Sequence, residues 1–123
     1  MQDFRKIKAW QQNREVTKLV YRITAKFPAD ERFGLTTQIR RAVVSIGANI
    51  AEASGHGSAA DKLRFLQMSL GSSTELLHHL ITSVDLGFLQ PAVFDELDPR
   101  LESVRRLTFA YMRGIRGSSK KNE

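Results

Sequence analysis

The stretch from Gly34 to Ala53, GLTTQIRRAVVSIGANIAEA, decides the fold class of this chain. Its apolar residues recur at intervals of three and four positions, the spacing that places side chains on one face of an α-helix. This inner face comprises Leu35, Ile39, Ala42, Val43, Ile46 and Ile50. The following residues 54–57, SGHG, predict the end of the helix, because glycine readily adopts the left-handed conformation that closes one.

Three further amphipathic helices are predicted, one before this stretch and two after it. The first spans residues 7–26 and ends before Pro28, since a proline disfavours helical geometry in the residue that precedes it. The third spans residues 58–86 and ends at a glycine. The fourth opens at Pro91, and Pro99 leaves it either kinked or split.

These four helices predict an all-α domain. No segment shows the sustained alternation of apolar and polar residues that a strand requires. Short connections favour antiparallel neighbours, so we expect an up-down-up-down antiparallel four-helix bundle over residues 1–116. The polar residues 117–123 are expected to form a flexible C-terminal tail. Ser58, followed by Asp61 at the third position, predicts a capped start for the third helix.

The composition excludes several classes of protein. The chain has 123 residues, the size of one domain that buries its own core, and 41% of them are hydrophobic. It contains no cysteine, which excludes disulfides and suits the reducing cytoplasm, where we expect the protein to reside. Neither an apolar secretory signal nor a run of ~20 apolar residues is present in the sequence.

Basic charge is concentrated in the first and last parts of the sequence. The net charge is +6 and the isoelectric point about 10.1, which favours polyanionic partners. Residues 1–41 contain ten basic and four acidic residues, and residues 100–123 contain seven and two. The intervening residues 42–99 contain two basic and seven acidic residues. The basic surface is therefore expected on the first and fourth helices.

Within the first predicted helix, basic residues recur at every fourth position. They form a ridge that turns by only about 40° per step and lies away from the apolar face. Nucleic-acid contact, a solvated surface and an anionic membrane are open interpretations. The first is favoured, because like charges at this spacing repel each other and a binding role would explain that cost. The predicted nucleic-acid-binding residues are Arg14, Lys18, Arg22 and Lys26, with Arg113 and Arg116 of the fourth helix.

A polar flank accompanies the apolar face of the second helix. It comprises Gln38, Arg41, Ser45, Asn49 and Glu52, with small residues around them. Small neighbours let another helix approach closely, and buried polar groups at such a seam must be hydrogen-bonded. These residues could form a ligand or RNA site, but the favoured interpretation is a buried polar network that fixes the packing of the bundle.

The third helix carries more apolar surface than one face of a bundle requires. Phe65, Met68 and Leu76 lie on a different side from its main apolar stripe. A helix that is apolar on two sides is covered on two sides. These three residues are therefore predicted to contact another subunit in a homo-oligomer.

No catalytic or metal site is predicted. Glu75 and His78 have the Glu-x-x-His spacing of di-iron bundles, but that chemistry requires a second copy of the motif, which the chain lacks. Phe4, Ile7 and Trp10 are interpreted as a packing cluster rather than as a platform for nucleobases. We accordingly expect no enzymatic activity, no cofactor and no bound metal.

Four segments resemble a known family. The run Phe33–Glu52 is similar to the signature of the four-helix-bundle proteins encoded in intervening sequences of bacterial 23S ribosomal RNA genes. Phe4–Trp10 resembles the start of those proteins, Lys62–Leu66 their third helix and Leu86–Leu89 their third connection. The resemblance extends over residues 3–116.

The resemblance implies a four-helix bundle that assembles as a ring-shaped homopentamer with basic surfaces. Distant relatives of the family are the accessory variability proteins of diversity-generating retroelements, which bind nucleic acid and partner a reverse transcriptase. The family implies no catalytic residues. Two positions depart from its pattern, because Gly47 stands where the family often has proline and Pro99 falls within a helix that usually runs unbroken.

The leading hypothesis is a non-enzymatic, homo-oligomeric bundle that binds RNA or DNA through a basic surface. Its expected partners are other copies of the chain and a nucleic-acid backbone, without a membrane. The alternative is a protein-interaction scaffold or accessory subunit, for example for a reverse transcriptase, with no direct role in nucleic-acid binding. An enzyme or a metal bundle around Glu75 and His78 is the third hypothesis.

Overall fold

The computed structural model of the chain describes residues 2–121, with the side chains of residues 2–119. This part of the chain contains four α-helices and no β-strand. The helices are α1 (Lys8–Thr24), α2 (Leu35–Ser54), α3 (Ala59–Asp85) and α4 (Pro91–Lys121). Single 3-10 turns, Phe4–Lys6 and Ala29–Glu31, precede α1 and α2. None of the four α-helices carries an apolar segment of the length that a bilayer requires.

The first three helices run antiparallel to their neighbours in the chain. The Asn13 side chain of α1 donates to the carbonyl of Val43 in α2 across 3.0 Å. Arg40, near the start of α2, contacts Thr24 at the end of α1, so the two helices run in opposite directions. On the other side of α2, Ser69 of α3 donates to the carbonyl of Ile46 across 2.9 Å.

Helix α4 closes the bundle between α3 and α1. Its Arg105 donates to the hydroxyl of Thr74 in α3 across 3.1 Å. The first turn of α4 lies beside Ile23, near the end of α1, whereas Tyr111 lies beside Lys8 at the start of α1. Each helix therefore lies beside two antiparallel neighbours, as the short connections predict.

The observed helix boundaries follow the signals in the sequence. Helices α1, α2 and α3 begin and end within one or two residues of their predicted limits. The hydroxyl of Ser58 accepts the backbone N–H of Asp61 across 3.1 Å, which confirms the predicted cap of α3. Gly87 adopts a φ of 80°, a conformation that glycine takes without strain, and the chain turns there towards α4.

Helix α4 is one uninterrupted helix. It runs through Pro99 as far as Lys121, so the predicted alternative of a split helix is wrong. Leu97 and Leu101 on either side of the proline are fully buried, and their packing outweighs the loss of one backbone hydrogen bond. The helix also continues through residues 117–121 of the predicted tail, the flexibility of which stays a prediction; residues 122 and 123 lie outside the described residues.

The core is made of aliphatic side chains from all four helices. Burying side chains of this size supplies most of the stability of a small domain, at about 1.5–3 kcal/mol each before opposing terms. The largest fully buried ones are Val16, Val20, Ile39, Val43, Ile46, Ile50, Leu66, Leu76, Leu80, Leu97, Leu101 and Met112.

One predicted interface residue belongs to this core. Leu76 is 0% exposed, so its predicted contact with another subunit is wrong. The physical reason is that α3 packs against both α2 and α4, and the side of α3 that carries Leu76 is therefore covered within one subunit. Phe65 is half-buried and Met68 is 49% exposed, which leaves Met68 as the most accessible of the three.

Candidate nucleic-acid interface

The basic ridge of α1 is exposed along its whole length. Arg14, Lys18, Arg22 and Lys26 all lie at the surface, the first three within α1 and Lys26 in the turn that follows it. A step of four residues turns by about 40°, so the ridge winds around the helix instead of running straight along it. Arg14 and Lys18 line a groove between α1 and α2, whereas Arg22 and Lys26 line a groove between α1 and α4. The ridge therefore crosses from one side of α1 to the other.

Weak surface interactions hold the first half of the ridge. The Nζ atom of Lys18 lies 3.2 Å from the Oε1 atom of Glu15, with both side chains more than half exposed. Arg14 lies over the ring of Trp10, and Trp10 packs edge-on against Phe4 with ring centroids 5.0 Å apart. An exposed ion pair contributes little stability, so Lys18 can exchange its carboxylate for a phosphate at small cost.

The predicted extension of the ridge onto α4 is not continuous with it. Arg113 and Arg116 are exposed, but they follow the part of α4 that lies beside the start of α1. Lys26 lies at the opposite end of the bundle, beside Gln90. A helix rises about 1.5 Å per residue, so Arg113 lies about 35 Å along α4 from Gln90. The six predicted residues therefore do not form one patch.

A cation–aromatic pair that spans α1 and α2 lies next to the ridge. The guanidinium of Arg40 lies 4.5 Å from the ring centroid of Tyr21, which is 40% exposed. The Nε atom of Arg40 donates to the hydroxyl of Thr24 across 2.9 Å, and its second hydrogen bond goes to the carbonyl of Tyr21 across 3.3 Å. These two bonds fix the plane of the guanidinium against the ring.

Tyr21, Arg40 and the first half of the ridge share one groove, here called the α1–α2 groove. It consists of two adjoining hollows of about 390 and 330 Å³, and Val44, which is 47% exposed, lines both. Within residues 2–119, the lining includes four cations and no carboxylate. The lining residues are Trp10, Asn13, Arg14, Thr17, Lys18, Tyr21, Thr37, Arg40, Arg41, Val44, Gly47 and Ala48.

A glycine allows the two helices to meet at the floor of this groove. A β-carbon built on Gly47 would lie 3.0 Å from the Nδ2 atom of Asn13 and 3.8 Å from the Trp10 ring nitrogen. Asn13 is 2% exposed, and among the described residues its Oδ1 atom has no hydrogen-bond partner. Helix α2 continues through Gly47 without a break, so the glycine serves the close approach of α1.

Comparison with known proteins identifies the same family that the sequence resembles. A family profile described as 23S rRNA-intervening sequence protein matches residues 5–110. The chain belongs to this family. The match confirms the resemblance seen in the sequence, and it includes the whole of α1, α2 and α3.

A solved structure shares the fold of this family member. It is a protein of unknown function from the S23 ribosomal protein family of Bacteroides thetaiotaomicron, with a TM-score of 0.76 and 23% sequence identity. The superposition covers 85% of this chain and 97% of that one, and at this identity it supports the fold alone. None of the curated proteins matches the chain.

The polar flank of α2 is largely exposed in this family member. Ser45 and Asn49 are half-buried, and the Ser45 hydroxyl lies 2.8 Å from that of Ser72 in α3. Asn49 donates to the carbonyl of Ser45 across 2.9 Å. Gln38, Arg41 and Glu52 lie at the surface, because this flank of α2 turns outward beyond its line of contact with α3, so their predicted burial is wrong.

Apart from the contact between Ser45 and Ser72, the polar contacts between helices involve residues outside this flank. Three examples are the bonds from Asn13 to Val43, from Ser69 to Ile46 and from Arg105 to Ser73. In two of them, a side chain reaches a backbone carbonyl of the neighbouring helix. In the sequence, the only sign of these contacts between helices is a small polar residue within an otherwise apolar face. That pattern is equally compatible with an exposed residue.

The Glu75–His78 spacing does not bring a metal site together in the family member. Glu75 lies 3.3 Å from the ring of His79, one turn away, and not against His78. Within residues 2–121, no cluster of three or more potential metal ligands occurs. Neither the family description nor the structural neighbour names an enzymatic activity.

A wider cavity of about 780 Å³ lies at the end of the bundle where α2 passes into α3. The hydroxyl of Tyr111 donates to the side-chain oxygen of Gln2 across 2.7 Å, and burial raises the pKa of Tyr111, which keeps this donor protonated. Lys62 donates to the carbonyls of Ala53 and Ser54, closing the end of α2. The polar groups of Tyr111 and Lys62 at this cavity are thus hydrogen-bonded to other residues of the fold.

Proposed function

We propose that the chain is a non-enzymatic protein that binds the backbone of RNA or DNA through the basic ridge of α1. The observation that carries this proposal is the exposure of all four ridge cations. Among the side chains that the structure describes, Lys18 is the only one of the four within ion-pair distance of a carboxylate. The net charge of +6 adds a general attraction for polyanions.

The geometry of the ridge suits a chain of phosphates. Arg14, Lys18 and Arg22 lie about 6 Å apart along α1 and about 40° apart around it, and Lys26 lies in the turn that follows α1. Each can therefore neutralise a separate phosphate, and a strand that follows the ridge crosses α1 obliquely from one groove to the other. Four such contacts give a salt dependence with a slope of roughly −3 in log K against log salt.

Charge reversal on the ridge tests this proposal. In the double variant Lys18→Glu and Arg22→Glu, the affinity for RNA or DNA should fall at least about tenfold, because two phosphate contacts become repulsive. The slope of log K against log salt should become shallower by about 2. Fluorescence anisotropy over a series of salt concentrations measures both quantities, and circular dichroism shows whether the fold is kept.

The matched control reverses two cations away from the ridge. Arg64 is paired with Asp61 on α3, and Arg106 is exposed on α4. The double variant Arg64→Glu and Arg106→Glu has the same net charge as the ridge variant and should retain most of the affinity. Equal losses in the two variants, or no loss in the ridge variant, would show that the ridge is not the contact surface.

We also propose that the chain assembles as a homo-oligomer, in the ring-shaped pentamer that the family resemblance implies. The supporting observation is the exposed apolar surface of α3 around Met68, with the half-buried Phe65 beside it. Large exposed apolar side chains commonly mark contacts between subunits. Leu76 has no part in this surface, since it lies in the core.

Light scattering tests the assembly. The wild-type protein should have the mass of a pentamer, and Met68→Asp should dissociate it by placing a charge in an apolar contact. Gln67→Asp, at the neighbouring exposed position, is the control and should leave the mass unchanged. A monomeric wild-type protein at micromolar concentration would exclude the proposed assembly.

A protein-interaction scaffold, for example for a reverse transcriptase, is the second candidate function. The observation in its favour is the exposure of two apolar side chains in connections at the same end of the bundle. Phe33 is 87% exposed and Leu86 is 57% exposed. The salt titration separates the two functions, because a partner held by apolar contacts binds at moderate salt while nucleic acid does not.

A further inference from the structure

We propose that the α1–α2 groove binds unpaired nucleobases, with Tyr21 and Arg40 as the stacking platform, and that the ligand of the basic ridge is therefore single-stranded. This inference rests on the proposed nucleic-acid binding and specifies its substrate. Two features support it. The side chains of Tyr21 and Arg40 are already held against each other, and the groove exposes apolar surface between its cations that contacts with phosphates would not cover.

The platform is assembled before any ligand arrives. Two hydrogen bonds to α1 hold the guanidinium of Arg40 at 4.5 Å from the Tyr21 ring. Only two of the five donor N–H groups of Arg40 are engaged in these bonds, so others remain for a phosphate or a base. Ordering a long side chain on binding costs conformational entropy. Because Arg40 is already ordered within the fold, ligand binding does not incur this cost for it.

The chemistry of the groove fits bases better than it fits a duplex. Aromatic rings and guanidinium planes are the groups on which unpaired bases stack, whereas bases within a duplex already stack on each other. Tyr21 is 40% exposed and Val44 is 47% exposed at the centre of the groove. A protein that contacts only phosphates has no use for this apolar surface.

The surrounding charges match a strand that enters the groove. Lys18 and Arg41 lie on opposite walls of it, and Arg14 lies farther along α1, about 10 Å from Tyr21. The side chains that line the groove within the described part of the chain include no carboxylate. A second copy of this chain would have to bring acidic residues to four cations, so the complementary charge favours a polyanion.

The test compares one sequence as a single strand and as a duplex. An oligonucleotide of about 12 nucleotides suits sites of this kind and should bind more tightly when single-stranded. Tyr21→Leu, which keeps an apolar side chain but removes the ring, should lower single-strand affinity about tenfold and leave duplex affinity unchanged. Tyr21→Phe keeps the ring and should retain binding. Arg40→Lys keeps the charge but removes the plane, and should behave like Tyr21→Leu.

Each outcome decides a separate question. If charge reversal on the ridge removes binding while Tyr21→Leu does not, the proposed function stands and the stacking platform is overturned. Equal binding of the single strand and the duplex overturns the platform as well. If the wild-type protein binds neither, both proposals fail. A change in oligomeric mass in Tyr21→Leu would assign the groove to a contact between copies of the chain and would also overturn the inference.

Discussion

Replacing Leu76 by alanine is expected to lower the free energy of unfolding by about 3 kcal/mol and Tm by about 10 °C. Leu76 is 0% exposed, so the change removes apolar contacts and leaves a cavity among the neighbouring core side chains. Chemical denaturation followed by circular dichroism measures the loss. Because the defect lies inside one subunit, its size should not depend on protein concentration.

Met68→Ala is the matched control for this prediction. Met68 lies on the same helix but is 49% exposed, and its truncation should change the stability of an isolated subunit by less than about 0.5 kcal/mol. Any effect of Met68→Ala through assembly should grow as the protein is diluted. If Leu76→Ala were as mild as Met68→Ala, or if its effect vanished at high concentration, Leu76 would belong to a subunit interface after all.

Replacing Pro99 by alanine should stabilise the protein by about 2 kcal/mol. Proline has no N–H to donate to the carbonyl of Asp95, and its ring crowds that carbonyl, which together cost about 3 kcal/mol within a helix. Proline also restricts the unfolded chain, and this offsets roughly 0.5–1 kcal/mol of the cost. Pro99 is exposed, so alanine removes no core packing.

Thermal unfolding checks this prediction, with Arg100→Ala as the control at the next exposed position. The control should shift Tm little, because alanine and arginine have similar helix propensities. A neutral or lower Tm for Pro99→Ala would indicate that α4 is split at Pro99 in solution, where proline would be well placed at the start of a second segment.

The helices were predictable because their signals are local. Apolar spacing, the Ser58 cap and the glycine at position 87 each act within a few residues, and the observed boundaries agree with them to one or two residues. Pro99 was misjudged because a local preference was weighed without the packing of Leu97 and Leu101 beside it. Tertiary contacts decided that case, and the sequence does not display them directly.

The candidate site was predictable only in part, for a similar reason. The ridge of α1 follows from four-residue spacing within one helix, and its exposure is visible in the pattern. The pair formed by Tyr21 and Arg40 is 19 residues apart in the chain and depends on how α1 and α2 meet, so spacing could not reveal it. Conversely, Arg113 and Arg116 were grouped with the ridge by their charge, but they lie at the opposite end of the bundle from Lys26.

The hydrogen bonds of Arg40 link the groove to the local opening of α1. Its guanidinium holds the carbonyl of Tyr21 and the hydroxyl of Thr24, both in the last turn of that helix. A nucleobase that stacks on the pair of Arg40 and Tyr21 requires these bonds, so its binding opposes fraying of the turn that carries Arg22 and leads to Lys26. By reciprocity, whatever tightens this turn raises the affinity for the nucleobase, so occupancy of the groove and amide hydrogen exchange at the end of α1 are thermodynamically linked.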